Sequence, residues 1–220
     1  MPLATPLPTW FPLHWELPVS SQSAAAAEGL RQELHAGGLE GLRPLPWWSA
    51  GWYAGELRLL LLQLRRHPDA HNTPLALALA SLCQAFVSAP PPQPWQQALL
   101  VPVPSGRRRS NPVPTLMASA LADRLGLQLR PELLERNHAV APQHHLARRQ
   151  QRWRNQWHSF RALLCDPAGQ ESQRPVLLLD DVLTSGATAL AAQRALQAAG
   201  WPVIGLLCLA RTPRRAADPA

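Results

Sequence analysis

Two adjacent aspartates, Asp180 and Asp181, end an apolar run that starts at Val176 and are followed by small and hydroxyl-bearing residues. Their carboxylates offer oxygen acceptors for sugar hydroxyls. The residues behind them place backbone N–H groups and hydroxyls at the start of a predicted helix, where an anion is favoured. These residues are Thr184, Ser185, Gly186, Ala187 and Thr188. Gly186 would also let the backbone approach a phosphate closely. A ribose 5-phosphate would satisfy both parts of this motif.

A purely structural role is the alternative for the same residues. Asp180 and Asp181 would then only cap the following loop, and the Thr-Ser-Gly stretch would be an ordinary turn from strand to helix. We favour ligand binding because paired acids at the end of a buried strand are costly without a use. The Walker B acid of an ATPase is excluded because the chain has no Walker A sequence and no lysine.

The segments around this motif alternate between predicted strands and helices. Continuous apolar runs predict strands at residues 98–104, 175–180 and 203–209. Helical spacing of apolar residues predicts helices at 52–66, 74–87, 114–127 and 187–199, and the basic segment 143–160 is also predicted to be helical. Strands without alternation are typical of a parallel sheet covered by helices on both faces. The predicted fold class is α/β, with the two aspartates at the carboxyl edge, where open α/β sheets bind ligands.

The first fifty residues differ from the rest in being rich in proline and tryptophan. An alanine-rich stretch at residues 23–35 is predicted as a short helix. We predict an N-terminal appendage with little regular structure at residues 1–51, followed by the α/β domain at 52–215. The appendage is expected to pack against the helix that begins at Trp52.

The charge of the chain is basic and local. All 21 basic residues are arginines, and the net charge is +7. The absence of lysine excludes P-loop nucleotide sites, Schiff-base enzymes and protein kinases. Residues 107–161 hold 11 arginines against three acidic residues, a net charge of +8. Such a segment indicates an anionic partner, either a phosphorylated metabolite or nucleic acid, and a solvated arginine-rich face is the alternative.

The cysteines and the N-terminal sequence indicate the cellular compartment of the protein. Cys83, Cys165 and Cys208 are far apart and form neither a disulfide framework nor a CxxC metal site. The N-terminus has no charged leader followed by an apolar run, as a signal peptide would, and its apolar stretches are too short to span a bilayer. These features predict a soluble, cytoplasmic protein.

Several separated segments match one family pattern in the right order. They are the acid pair with its turn; residues 52–58, like a Tyr-x-Gly-x-Leu-Arg helix start; residues 101–104, like a Pro-Val-Pro stretch; Arg108 and Asn111, like a shortened Arg-Gly-Phe-Asn-Gln segment; Gln143, Leu146, Arg152, Asn155 and Phe160; and residues 209–211. Over about residues 52 to 212 the chain resembles the ComF family of competence and GntX-like proteins, which is similar to type I phosphoribosyltransferases.

The resemblance implies a phosphoribosyl pyrophosphate site. By the family pattern, Asp180 and Asp181 bind the ribose hydroxyls, directly or with Mg²⁺, and residues 184–188 hold the 5′-phosphate. The loop after the first core strand binds pyrophosphate in such enzymes, and here it carries Ser105, Arg107, Arg108 and Arg109. The planar fork of arginine pairs well with phosphate oxygens. Mg²⁺ would be held mainly by substrate oxygens and waters rather than by a protein cage.

The chain also departs from the family pattern. No cysteine lies in residues 1–51, so the family's four-cysteine zinc finger is absent and zinc is not expected. The Arg-Gly-Phe-Asn-Gln segment has lost its glycine and aromatic residue. Thr184 stands where purine-salvage members often carry an acidic general base. The sugar-phosphate half of the site therefore resembles that of the family, whereas no acceptor site is identified.

A second class of function rests on the basic segment. Four arginines, Arg148, Arg149, Arg152 and Arg154, are interleaved with Trp153 and Trp157, a pattern typical of single-stranded nucleic-acid surfaces. The alternative is that both tryptophans pack on the core, as pairs at helical spacing often do. Two functions therefore stay open: a phosphoribosyltransferase or its non-catalytic relative, and a competence factor that binds single-stranded DNA and a helicase-like partner, as the resemblance implies.

Overall fold

The computed structural model describes residues 21–34, 38–67, 72–105, 111–137, 159–169 and 174–213. In chain order, its helices and strands are α1 (Ser21–Glu33), β1 (Leu39–Gly41), β2 (Trp47–Trp52), α2 (Gly55–Leu64), α3 (Asn72–Ser88), β3 (Leu99–Pro102), α4 (Val113–Leu125), β4 (Gln128–Leu129), β5 (Leu134–Arg136), β6 (Phe160–Ala162), β7 (Val176–Leu183), α5 (Ala187–Ala198) and β8 (Val203–Arg211). None of the helices within these ranges is long and apolar enough to cross a membrane.

The sheet that carries the acid pair has six strands, in the order β1-β2-β8-β7-β3-β4. Strand β1 pairs antiparallel with β2, and the other four pairings are parallel. Strands β5 and β6 form a separate antiparallel pair. The predicted α/β class is confirmed, because a mostly parallel sheet is flanked by helices.

Strand β7 lies in the middle of the sheet and is buried on both faces. Its first four residues, Val176 to Leu179, are fully buried and alternate between two apolar clusters on opposite sides of the sheet. Helices α2, α3 and α4 pack on one side, and α5 with the β5–β6 pair packs on the other. Burial on both faces explains why the sequence shows a continuous apolar run here rather than alternation.

The first fifty residues contribute more to the fold than the sequence predicts. Strand β2 pairs in parallel with β8, and its residues are buried from Trp47 to Gly51. The ring of Trp48 packs edge-on against Phe86 with centroids 5.0 Å apart, and its Nε1 donates to the Ala89 carbonyl at 2.8 Å. The expected boundary between residues 51 and 52 therefore falls inside a strand of the sheet, and residues 39–51 belong to the α/β domain.

The alanine-rich helix α1 does pack on α2, as expected. The Glu33 carboxylate at its end accepts hydrogen bonds from the backbone N–H groups of Glu56, at 2.6 Å, and Leu57, at 3.4 Å. A helix leaves its first N–H groups without partners, and a carboxylate there is favoured by the helix dipole. Gly55 begins α2 with φ +40°, and a Cβ on it would lie 1.9 Å from Glu33 Oε1. The positive φ favours glycine at this position.

Two further expectations change in the structure. Strand β7 continues to Leu183, three residues beyond the end predicted at Asp180, so both aspartates lie among its last four residues. Phe160, expected at the end of a helix, is the first residue of β6, and residues 143–158 of that predicted helix lie outside the described residues. The three cysteines are free thiols.

Candidate functional site

The carboxyl end of β7 is the place where the polar side chains converge. Asp180 is half-buried there, and Asp181 is buried, with 5% of its surface exposed. The strand delivers both residues to this edge because the four apolar residues before them are fixed in the middle of the sheet. The structure therefore brings the predicted acid pair together with the turn at residues 184–186.

Asp181 is held by side chains from two other elements. Its Oδ2 accepts hydrogen bonds from Arg65 Nε at 2.9 Å, from Arg65 Nη2 at 2.5 Å and from Asn111 Nδ2 at 2.7 Å. Arg65 directly follows α2, and Asn111 lies just before α4, where its Oδ1 accepts the N–H of Val113 at 3.2 Å. We call Arg65, Asn111 and Asp181 the clamp. The clamp joins α2 and α4 to the end of β7.

Asp180 differs from its neighbour in exposure and in hydrogen-bond partners. Its Oδ1 accepts the backbone N–H of Asp181 at 2.8 Å. Burial first, and the negative charge of Asp181 second, raise the pKa of Asp180 to about 8, although Arg65 acts in the opposite direction. Two carboxylates that share a site cannot both ionise easily. The pKa of Asp180 therefore lies well above the ordinary range of an aspartate.

Arg136, at the end of β5, is a site residue that the sequence analysis missed. Its Nη1 donates to the Pro104 carbonyl at 3.3 Å, and its guanidinium lies 5.0 Å from the centre of the Phe160 ring. Burial lowers the pKa of Arg136, and the charge of Asp180 opposes that effect, which places this cation near the acid pair. The only sequence signal was its position in the basic segment, which it shares with ten other arginines.

The turn from β7 into α5 holds the predicted phosphate-binding residues. Thr184 and Ser185 are exposed, Gly186 and Ala187 are buried, and Thr188 is half-buried. Ser185 Oγ accepts the N–H of Ala187 at 3.4 Å. Gly186 has φ +79°, and a Cβ on it would lie 2.0 Å from Pro44 Cγ. Glycine is thus required by backbone conformation and by Pro44, and its predicted role in phosphate approach stays a prediction.

Arg211, at the end of β8, forms hydrogen bonds to the backbone carbonyls at the start of this turn. Its Nη1 donates to the carbonyl of Leu183 at 2.8 Å and to that of Thr184. The side chain is buried, and its guanidinium lies 5.5 Å from the centre of the Trp47 ring. Sequence reasoning had noted Arg211 only as the end of a strand that resembles the family pattern, and gave it no role in the site.

Several predicted site residues lie outside the part of the chain that the structure describes. These are Arg107, Arg108 and Arg109 of the predicted pyrophosphate loop, and Arg148, Arg149, Arg152 and Arg154 of the predicted nucleic-acid surface. Ser105 is described and half-buried, next to the carbonyl of Pro104 that Arg136 contacts. The described residues include no group of three or more His, Cys, Asp or Glu side chains placed to hold a metal ion.

Comparison with known proteins gives likenesses of structure and none of sequence. No family model and no curated protein matches the chain. Adenine phosphoribosyltransferase from Rhodothermus marinus is 18% identical at a TM-score of 0.41, over 86% of this chain and 87% of that chain. The same enzyme from Thermoanaerobacter pseudethanolicus is 15% identical at 0.40, over 84% and 86%. Orotate phosphoribosyltransferase from Aeropyrum pernix is 19% identical at 0.40, over 84% and 80%. What those proteins act on does not transfer at this distance, so a function must be argued from the edge of β7.

Proposed function

We propose that the chain binds phosphoribosyl pyrophosphate, or ribose 5-phosphate, at the carboxyl edge of β7. One observation carries the proposal: a partly exposed carboxylate, Asp180, lies near the end of the strand that leads through a small-residue turn into a helix of 12 residues, α5. Asp180 accepts hydrogen bonds from ribose hydroxyls. The backbone N–H groups of residues 184–188 receive the 5′-phosphate, because a helix N-terminus favours an anion.

Mg²⁺ fits the donor chemistry of this edge. The cation prefers oxygen ligands and usually keeps several waters, with one or two carboxylates and substrate oxygens completing its shell. Asp180 supplies such a carboxylate, and pyrophosphate supplies the remaining oxygens. When bound, the ion neutralises negative charge on the pyrophosphate. Asp180 must lose its proton to take part, so we expect ligand binding to release a proton.

The reaction that this arrangement supports is transfer of the phosphoribosyl group. The resemblance to the ComF family adds natural competence as the proposed biological setting, and the sequence adds the cytoplasm as the proposed compartment. A nucleophilic atom of the acceptor forms a bond to the anomeric carbon as the bond from that carbon to the pyrophosphate oxygen breaks. Pyrophosphate leaves with the electron pair and takes up the proton that the acceptor loses, and the configuration at the carbon inverts. Arg136 stabilises the leaving anion from the side of Asp180, together with the arginines at 107–109.

A thermal shift experiment tests the proposal. Phosphoribosyl pyrophosphate at about 100 times Kd adds about 2.7 kcal/mol to the free energy of unfolding. For a chain of this size that raises Tm by roughly 5 to 10 °C. The shift should require Mg²⁺ and should fall to about half or less in Asp180→Asn. The matched control is Asp123→Asn, because Asp123 is exposed on α4. A parent protein whose Tm does not respond to the ligand overturns the proposal.

Binding of single-stranded DNA is a second proposed function, supported by the sequence alone. The +8 charge of residues 107–161 exceeds what one pyrophosphate needs. We expect the affinity for a single strand to fall steeply with salt, and the slope to decrease when Arg148, Arg149 and Arg152 are changed to alanine. Binding that ignores salt, or no binding, contradicts this function. A helicase-like partner is part of the same proposal.

A further inference from the structure

The two adjacent aspartates differ in how their carboxylates are already used. The clamp brings three N–H groups to a single oxygen of Asp181, from residues 116 and 70 positions away in the chain. Asp181 has 7% of its side chain exposed, and Arg65, its partner in the ion pair, has 20%. A ligand that used Asp181 Oδ2 would have to displace a charge-assisted pair that is largely shielded from water.

Asp180 is open to a ligand by comparison. It is half-buried, and the hydrogen bond it accepts comes from the backbone N–H of the next residue in the same strand. That bond fixes the direction of the carboxylate without tying it to another element. A ligand at the edge can therefore reach Asp180 without any helix moving.

The clamp also holds the helices that border the site. Helix α2 begins just after β2 and ends beside Asp181 at the end of β7, and β8 lies between those two strands. The helix therefore passes over the carboxyl end of β8. Asn111 brings the start of α4 to the same oxygen. Without Asp181, neither α2 nor α4 would be joined to β7 by these bonds.

We propose that Asp180 alone of the pair contacts the sugar or its Mg²⁺, and that Asp181 instead fastens α2 and α4 to the edge of the sheet. This inference rests on the proposed function and divides its two acids between different tasks. It departs from the expectation that both carboxylates bind the ribose hydroxyls.

Single substitutions separate the two tasks. Asp181→Asn should lower Tm in the absence of ligand by several degrees, because a buried charged pair loses one member. Its Kd for phosphoribosyl pyrophosphate with Mg²⁺, measured at about pH 9 where the Asp180 carboxyl is ionised in both proteins, should stay within about threefold of the parent, because no ligand contact is lost. Asp180→Asn should leave Tm without ligand unchanged or higher and weaken Kd by about tenfold or more, the usual effect of losing a hydrogen bond to a charged group.

A double substitution tests whether binding needs the Asp181 carboxylate without the loss of stability that a single substitution causes. Arg65→Met combined with Asp181→Leu replaces the ion pair by apolar side chains, an exchange that is often neutral or stabilising. If this variant regains the parent Tm and binds the ligand with parent affinity and parent Mg²⁺ dependence, the site works without a carboxylate at position 181. Loss of binding in this folded variant, with Asp180 intact, overturns the inference.

The parent protein distinguishes the two levels of failure. If it does not bind phosphoribosyl pyrophosphate, the proposed function fails. If it binds and the double variant does not, only the division of tasks fails. Should Arg65→Met with Asp181→Leu not fold, Asn111→Ala serves in its place, because it removes one donor and keeps the ion pair. Asn111→Ala should then lower Tm and keep Kd, and a large loss of affinity at unchanged Tm would count against the inference.

Discussion

Asp181 of the clamp lies in β7, and the turn at residues 184–186 directly follows that strand. The two regions are nevertheless held by different kinds of contact. In the clamp, the chain fixes a charged carboxylate with donors from α2 and α4. In the turn, it fixes two backbone carbonyls with Arg211 and fills the space beside Gly186 with Pro44. The clamp thus depends on an ion pair, and the turn on backbone conformation and on hydrogen bonds to its carbonyls. Substitutions in one region should therefore leave the contacts of the other in place.

The largest effect is expected in the clamp. Arg65→Met leaves the buried Asp181 carboxylate without its cation, and breaking a buried pair in this way costs about 3 to 5 kcal/mol. At roughly 2 to 4 °C per kcal/mol for a chain of this size, Tm should fall by about 6 °C or more in thermal unfolding. Arg66→Met is the matched control, since Arg66 is the next residue and is exposed. Equal Tm values for the two variants would mean that the ion pair does not stabilise the fold.

The turn should be most sensitive at its glycine. Gly186→Ala puts a side chain on a residue with φ +79° and into the space of Pro44, whose Cγ would be 2.0 Å away. Left-handed backbone alone costs a non-glycine residue about 1 to 2 kcal/mol, and the collision adds to it. Gly126→Ala separates the two effects, because Gly126 has φ +64° with no atom within 4 Å of the added carbon. Thermal unfolding should show a greater loss of Tm for Gly186→Ala than for Gly126→Ala. Equal losses would mean that contact with Pro44 does not add to the cost of the side chain.

Arg211 supplies the polar part of the turn. Arg211→Met removes the charged donor to the carbonyls of Leu183 and Thr184, although the Leu183 carbonyl keeps the N–H of Thr212 at 3.0 Å. Loss of a hydrogen bond from a charged group costs about 1.5 to 3 kcal/mol. We expect a lower Tm together with weaker binding of phosphoribosyl pyrophosphate, because the turn that receives the phosphate loses its support. Arg58→Met on the exposed side of α2 is the control. A normal Kd in Arg211→Met would show that the turn keeps its shape without this side chain.

A separate prediction concerns pH and Asp180. Its pKa is about 8 in the folded chain against an ordinary value of 3.8, so the unfolded chain ionises it first. The unfolded state therefore gains stability as pH rises from about 4 to 8, and the contribution of Asp180 to folding becomes less favourable over that window. Asp180→Asn should remove this slope and raise Tm relative to the parent at pH 8 and above. A parallel pair of Tm curves between pH 5 and 8 would contradict the assignment.

The same contrast explains what the sequence could predict. The strand, the acid pair, the turn and α5 follow one another in the chain, so local apolar runs and small residues were enough to locate them. The clamp was not predicted, because Arg65 and Asn111 reach Asp181 across 116 and 70 residues and carry no local signal of their destination. Strand β2 was missed because its tryptophans, glycine and nearby prolines do not give a typical strand pattern, and its burial depends on pairing with β8.

Helix α2 is fastened at both ends, by the Glu33 carboxylate at its first turn and by Asp181 at Arg65. Its ten residues make a helix about 15 Å long. Trimming the chain ahead of residue 33, or fusing another protein there, would therefore alter the contact at the first turn of the helix whose other end holds Asp181.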